Sequence, residues 1–170
     1  MSTDDQIGAE LLAEARAQLQ ACHRKVLHCV AQLDDAQLWH RAGEGFNSIA
    51  NLLLHLEGNI HQRILSLIGG EPDRRNRDQE FAERGPIAKG ELVSRFDDTL
   101  RRTDALLAEL PPQRLLETRQ YPMLRGRVEG SFVVLILHTL VHLGGHTQEI
   151  VSLTRHQLGD RYRFMQSTSK

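Results

Sequence analysis

Cysteine is scarce in this chain: Cys22 and Cys29 are the only two among 170 residues. If both lie on one helix, seven residues at about 1.5 Å each set them roughly 10 Å apart, beyond the reach of a disulfide. Buried, inert thiols are the default reading, and with them a reducing compartment. No apolar run approaches the ~20 residues that a membrane span requires. The polar, acidic stretch 1–10 also lacks the charged-then-apolar layout of a secretion signal. Neither sign of charge dominates, with 21 Lys and Arg against 22 Asp and Glu for a net charge of −1. Nucleic acid is therefore not an expected partner, because phosphate binding needs a basic surplus or stripe. The chain has no phosphate-binding glycine loop, no Cys-x-x-Cys, no internal repeat and no low-complexity segment. These absences leave a soluble, cytoplasmic protein, with residues 1–170 forming a single domain large enough to bury a core.

What the chain does have is helical periodicity and histidine. Four long segments carry apolar residues at three- and four-residue steps. The first, over residues 3–33, has a stripe of Ile7, Leu11, Leu12, Ala15, Leu19, Cys22, Val26, Cys29 and Val30. The second opens at Asn47 or Ser48, either a good N-cap, and runs to residue 68, where Gly69-Gly70 and Pro72 end it. A charged loop over 71–86 leads to the third, 88–110, which Pro111-Pro112 terminates. A second loop, 113–130, has room for a short extended piece around 121–128. The fourth helix covers 131–158, and a polar tail follows from about residue 159. Four amphipathic helices of this length predict an all-α fold, a four-helix bundle. Its two later connections are long enough to cross the bundle, which argues against a simple up-down-up-down order.

Nine histidines are a surplus in a chain of this size. His138, His142 and His146 follow one another at four-residue steps, so neighbours sit only about 40° apart around a helix. Imidazoles at i and i+4 can converge on one metal ion. Two ligands from one helix leave the coordination incomplete, and the second helix offers His55 on the shoulder of its apolar stripe, beside Leu52 and Asn59. His61 is turned away from that shoulder. For His23, His28, His40, His61 and His156 a surface or hydrogen-bonded role is the default. Gly144 and Gly145 interrupt the fourth helix, where each costs about 1 kcal/mol relative to Ala. Close helix packing is the commoner reason for such a pair, and room for a ligand the alternative. Glu149, three residues past His146, is placed to ligate, to orient an imidazole or to act as a base. A ferritin-like di-iron site needs Glu-x-x-His on two helices, and no histidine here has a glutamate three residues before it. Arg74, Arg75, Arg77 and Asp78 form a charged cluster whose default reading is a solvated, salt-bridged loop, with a substrate-anion or partner contact as the alternative.

Three passages resemble the DinB-like (DinB/YfiT) superfamily of bacterial metal-binding four-helix proteins, most of all a branch of largely undefined function. Asn47-Ser48-Ile49-Ala50-Asn51-Leu52-Leu53-Leu54-His55-Leu56-Glu57-Gly58-Asn59 looks like the second-helix signature of that branch. Arg74-Arg75-Asn76-Arg77-Asp78-Gln79-Glu80-Phe81 looks like its loop Arg-x-Arg-Asp-x-Glu-Phe. His142-Leu143-Gly144-Gly145-His146-Thr147-Gln148-Glu149-Ile150 resembles the fourth-helix motif His-x-x-x-His-x-Gly-Gln-Ile, with Gln148-Glu149 standing where the family usually has Gly-Gln. The resemblance implies His55, His142 and His146 as ligands, with His138 outside the first coordination shell. It further implies zinc or nickel, water in the open positions, and a homodimer. Characterised relatives include thiol-dependent transferases and maleylpyruvate isomerase-like enzymes.

Three histidines and an open position suit a catalytic rather than a structural metal. The expectation is therefore a metal-dependent transferase or hydrolase acting on a small molecule. In it Glu149 or His138 moves protons, and Asn59 and Arg63 line the substrate pocket. The alternatives are a non-catalytic, stress-response metal-binding dimer, and a bundle whose histidines hold only one another.

Overall fold

All four periodic segments are helices in the computed structural model, which describes residues 2–85, 87–123 and 126–165. Helix α1 (Thr3–Ala31) opens on a capping box in which the Ser2 and Asp5 side chains each accept from the other's backbone N–H. This satisfies two donors that a helix start otherwise leaves orphaned. A five-residue helix, α2 (Asp35–Trp39), follows; it is too short for periodicity to reveal. Helix α3 (Ile49–Ile60) starts at Ser48, again through a reciprocal cap with Asn51. It widens into a π-helical turn, His61–Ser66, and the chain leaves at Gly70 with φ 82°, a conformation only glycine takes freely.

Within the charged 71–86 connection the structure places a short helix, α4 (Arg77–Ala82); Pro86, the last residue of that segment, lies outside the described residues. Helix α5 (Lys89–Glu109) ends at the predicted Pro111-Pro112. The second connection is more ordered than the extended piece expected from sequence. Strands β1 (Thr118–Met123) and β2 (Gly126–Ser131) pair antiparallel, with Tyr121 opposite Val128; residues 124–125 lie outside the described set. Helix α6 (Phe132–Leu158) starts directly from β2, capped by Ser131.

The long helices share one apolar cluster. Helix α1 packs against α5 and α6, and α3 packs against the same two. The first two long helices thus sit across the bundle from one another, and the charged 71–86 connection joins neighbours, since α3 packs on α5. Two details depart from the sequence reading. Ile7, assigned to the stripe of α1, is 63% exposed, and the core begins at Leu12. The segment after residue 159 folds back as far as it is described: Tyr162 packs on the core, and the His28 Nε2 bonds the Arg163 carbonyl at 2.6 Å. Residues 166–170 lie outside the described set. No helix of the described residues is long and apolar enough to cross a membrane. Both cysteines are free thiols, and burial pushes the Cys29 thiol up, which keeps it inert.

Candidate metal centre

Helix α3 presents His55 from an almost wholly buried surface, and α6, which packs on it, presents His142 and His146 one turn apart. One ring nitrogen from each of the three lies within 4.8 Å of the others. The closest pair, His55 Nε2 and His142 Nε2, is 2.8 Å apart. All three ring pairs stand nearly edge to face, with centroids 4.9, 5.2 and 4.5 Å apart. His138 lies outside this group and is exposed.

Two carboxylates set the tautomers. His55 Nδ1 meets Glu80 Oε2 at 2.8 Å, and His146 Nδ1 meets Glu149 Oε2 at 2.7 Å. A carboxylate only accepts, so each Nδ1 carries the proton and each Nε2 presents a lone pair. This carboxylate–imidazole arrangement is the one that orients and strengthens metal-binding histidines. The donor set therefore fits a divalent metal ion: three imidazole nitrogens, two of them on rings whose Nδ1–H is fixed by a carboxylate. Tetrahedral Zn–N bonds of about 2.0–2.1 Å would need His55 and His142 to part slightly.

Glu80 is the residue that sequence reasoning missed. It belongs to α4 in the charged connection, yet it is buried. Arg75 grips it with Nε at 2.7 Å and Nη2 at 3.0 Å, and Arg75 Nη1 also donates to Gln62 at 3.0 Å. Arg75 Nη2 passes 3.2 Å from His55 Nδ1, but the shorter carboxylate contact decides that nitrogen's role. Arg75 is thus not the solvated loop residue expected by default. The segment is held down by Asn51, whose side chain donates to the backbone carbonyls of Glu80 (2.9 Å) and Glu83 (3.0 Å). Gly58 makes room for it, because a Cβ there would sit 2.3 Å from Glu80 Oε1.

Glu149 keeps an exposed carboxylate and reaches the site through His146. His23 and His61 pair with Asp97 and Glu71, away from the cluster. A Cβ on Gly144 or Gly145 would meet nothing within 4 Å among the described residues, so close packing does not explain that pair.

Burial and the neighbouring His146 and His55 push the His142 imidazole down to about 4. Burial also lowers His55, against the opposing pull of Glu80. For Glu80 burial alone would raise the carboxyl, yet hydrogen bonds from His55 and Arg75 hold it below its ordinary value. Both cluster histidines are therefore neutral at pH 7, as ligands must be. In the unfolded chain a histidine titrates near 6.5, so unfolding takes up protons between about pH 6.5 and 4. The linked stability is present above 6.5 and is lost as pH falls through that window. Thermal unfolding of chelator-treated protein should show Tm falling from pH 6.5 to 4.5. A His142→Gln variant should show a shallower fall, and equal slopes would refute the neutral-histidine assignment.

A cavity of about 530 Å³ adjoins the cluster, lined by His55, His142, His138, Asn59, Gln62, Arg63, Arg75, Arg77 and Pro122. Of the three clustered histidines, only His146 is absent from its wall. Asn59 and Arg63 both lie on its wall.

Residues 6–169 match a family model described as a protein of unknown function, DUF1572. The chain belongs to the DUF1572 family. No curated protein matches it. Among solved structures, a DinB-like protein from Bacillus subtilis superposes with a TM-score of 0.65 at 13% identity, covering 89% of this chain and 96% of that one. A conserved protein from Enterococcus faecalis gives 0.58 at 15% identity, over 91% and 96%. At such identities the likeness is one of fold, and this DUF1572 protein has the all-α DinB-like fold.

Proposed function

We propose that the protein binds one divalent metal ion, zinc or nickel, through His55, His142 and His146, and acts as a metal-dependent enzyme on a small molecule. One observation carries the reading: three imidazoles converge, two of them oriented by Glu80 and Glu149, and two of the three, His55 and His142, open onto a cavity rather than being sealed in the core. A bound divalent ion lowers the pKa of a water or thiol and so supplies a nucleophile near neutral pH. Thiol-dependent transfer or hydrolysis is the reaction class this suits. His138, exposed on the cavity wall one turn before His142, is placed to take up the proton a thiol or water gives off. Glu149 acts through His146, holding its ring in the ligating tautomer. The reading includes a single cytoplasmic domain and a homodimer. Supporting a dimer are Val141, 75% exposed, and Leu137, 47% exposed, on the outer face of α6.

The test is spectroscopic. Protein loaded with cobalt(II) is expected to develop a thiolate-to-cobalt absorption band on adding dithiothreitol, and the His142→Ala variant to show none. Absence of any spectral change in the wild type, with the ion bound, would favour a closed, non-catalytic metal site. A second reading draws on the 2.8 Å contact between His55 and His142, the spacing of a hydrogen-bonded imidazole pair with no metal. Failure to bind any divalent ion would establish it.

A further inference from the structure

The cavity beside the histidines has a charge pattern of its own. Three arginines line it and no aspartate or glutamate does. Arg75 is neutralised by the buried Glu80. Arg63 lies 4.9 Å over the Tyr121 ring, and Arg77 lies 5.0 Å over the Phe81 ring, a contact that positions its guanidinium without cancelling its charge. No ion pair or hydrogen bond is given to Arg77 by any described residue. Arg63 is borne on the π-helical turn that extends α3, a local widening frequent at functional sites. Asn59 is 6% exposed, and its Oδ1 has no hydrogen-bond partner among the described residues. A buried acceptor left unpaired is costly, and an amide can turn over to present its donor instead.

We infer that this cavity receives a small-molecule oxyanion, a carboxylate or a phosphate, held by Arg77 and Arg63 with Asn59 supplying a hydrogen bond. The assignment rests on the metal reading above and deepens it by naming the substrate class. A guanidinium fork matches both oxyanions through paired N–H donors. Neutral imidazole ligands leave the charge of a divalent ion uncancelled, so an anionic group is what balances the site.

The experiment titrates succinate, inorganic phosphate and uncharged succinamide into zinc-loaded and chelator-treated protein by calorimetry, with zinc content measured on the same samples. Succinate or phosphate should bind at least tenfold more tightly than succinamide. Arg77→Gln should lose that preference while retaining zinc, which is expected because Arg77 is exposed and outside the cluster. Preference for succinate identifies the carboxylate, and preference for phosphate the phosphate. Zinc bound with no charge preference would overturn the oxyanion assignment and leave the metal reading intact. A charge preference that survives both Arg77→Gln and Arg63→Gln would also overturn it, since the ion alone then suffices. If zinc fails to bind, the metal reading falls. In that case a charge preference lost in Arg77→Gln, measured without zinc, upholds the anion site alone, and its absence overturns that as well.

Discussion

A His142→Ala variant is expected to hold zinc several hundredfold more weakly than the wild type while remaining folded. Metal binding by small structural zinc sites is worth roughly 10–16 kcal/mol over four ligands, or about 2.5–4 kcal/mol for each, a factor of roughly 70 to 900 in affinity. His142 is half-buried and faces the other two imidazoles, so truncation removes a ligand without opening the apolar core. Competition against a chromophoric chelator measures the affinity directly. Tight stoichiometric zinc binding by the variant would mean that the ion, if any, sits elsewhere.

The second large effect belongs to Glu80. Its side chain and that of Arg75 are 8% and 7% exposed, and they form a two-point ion pair beneath His55. Glu80→Gln leaves the Arg75 charge buried without a counter-charge, a loss worth about 3 kcal/mol. For a chain of this length that is a fall in Tm of roughly 6–12 °C. The same change weakens the acceptor that orients His55, and such changes typically reduce metal affinity by about 10–100-fold. An Arg75→Gln, Glu80→Gln double variant separates the two roles: it should regain much of the stability and keep the weakened zinc affinity. Stability and affinity both at wild-type levels in Glu80→Gln would show that the buried carboxylate does neither job.

How far sequence carries depends on what each residue's burial is set by. The long helices announce themselves because amphipathic periodicity over twenty residues or more has one explanation, and Ser48 and Ser131 cap as side-chain chemistry requires. His142 and His146 are legible because a four-residue step fixes their shared face whatever the tertiary packing. Glu80 is not legible in that way. It stands in a run of charged residues that reads as solvated, and what buries it is tertiary: the hold of Asn51 on α4, 29 residues away, and the contacts of its carboxylate with Arg75 and His55. The clue lay in Gly58: a glycine inside a helix asks what approaches it, and the answer is a carboxylate oxygen. Short elements escape for a different reason. Helices α2 and α4 have five and six residues, less than two turns, so no apolar stripe can form. Ile7 fits the stripe of α1 by spacing, but spacing does not say where the neighbouring helices end.

One ion held by three histidines is what every proposed activity of this site requires. The most direct measurement is the metal content, by mass spectrometry, of protein purified without a histidine tag and dialysed against zinc or nickel, beside His55→Ala and His146→Ala. About one ion per chain in the wild type, lost in both variants, is the expected result. A wild type that binds none, or variants that keep a full equivalent, would contradict it.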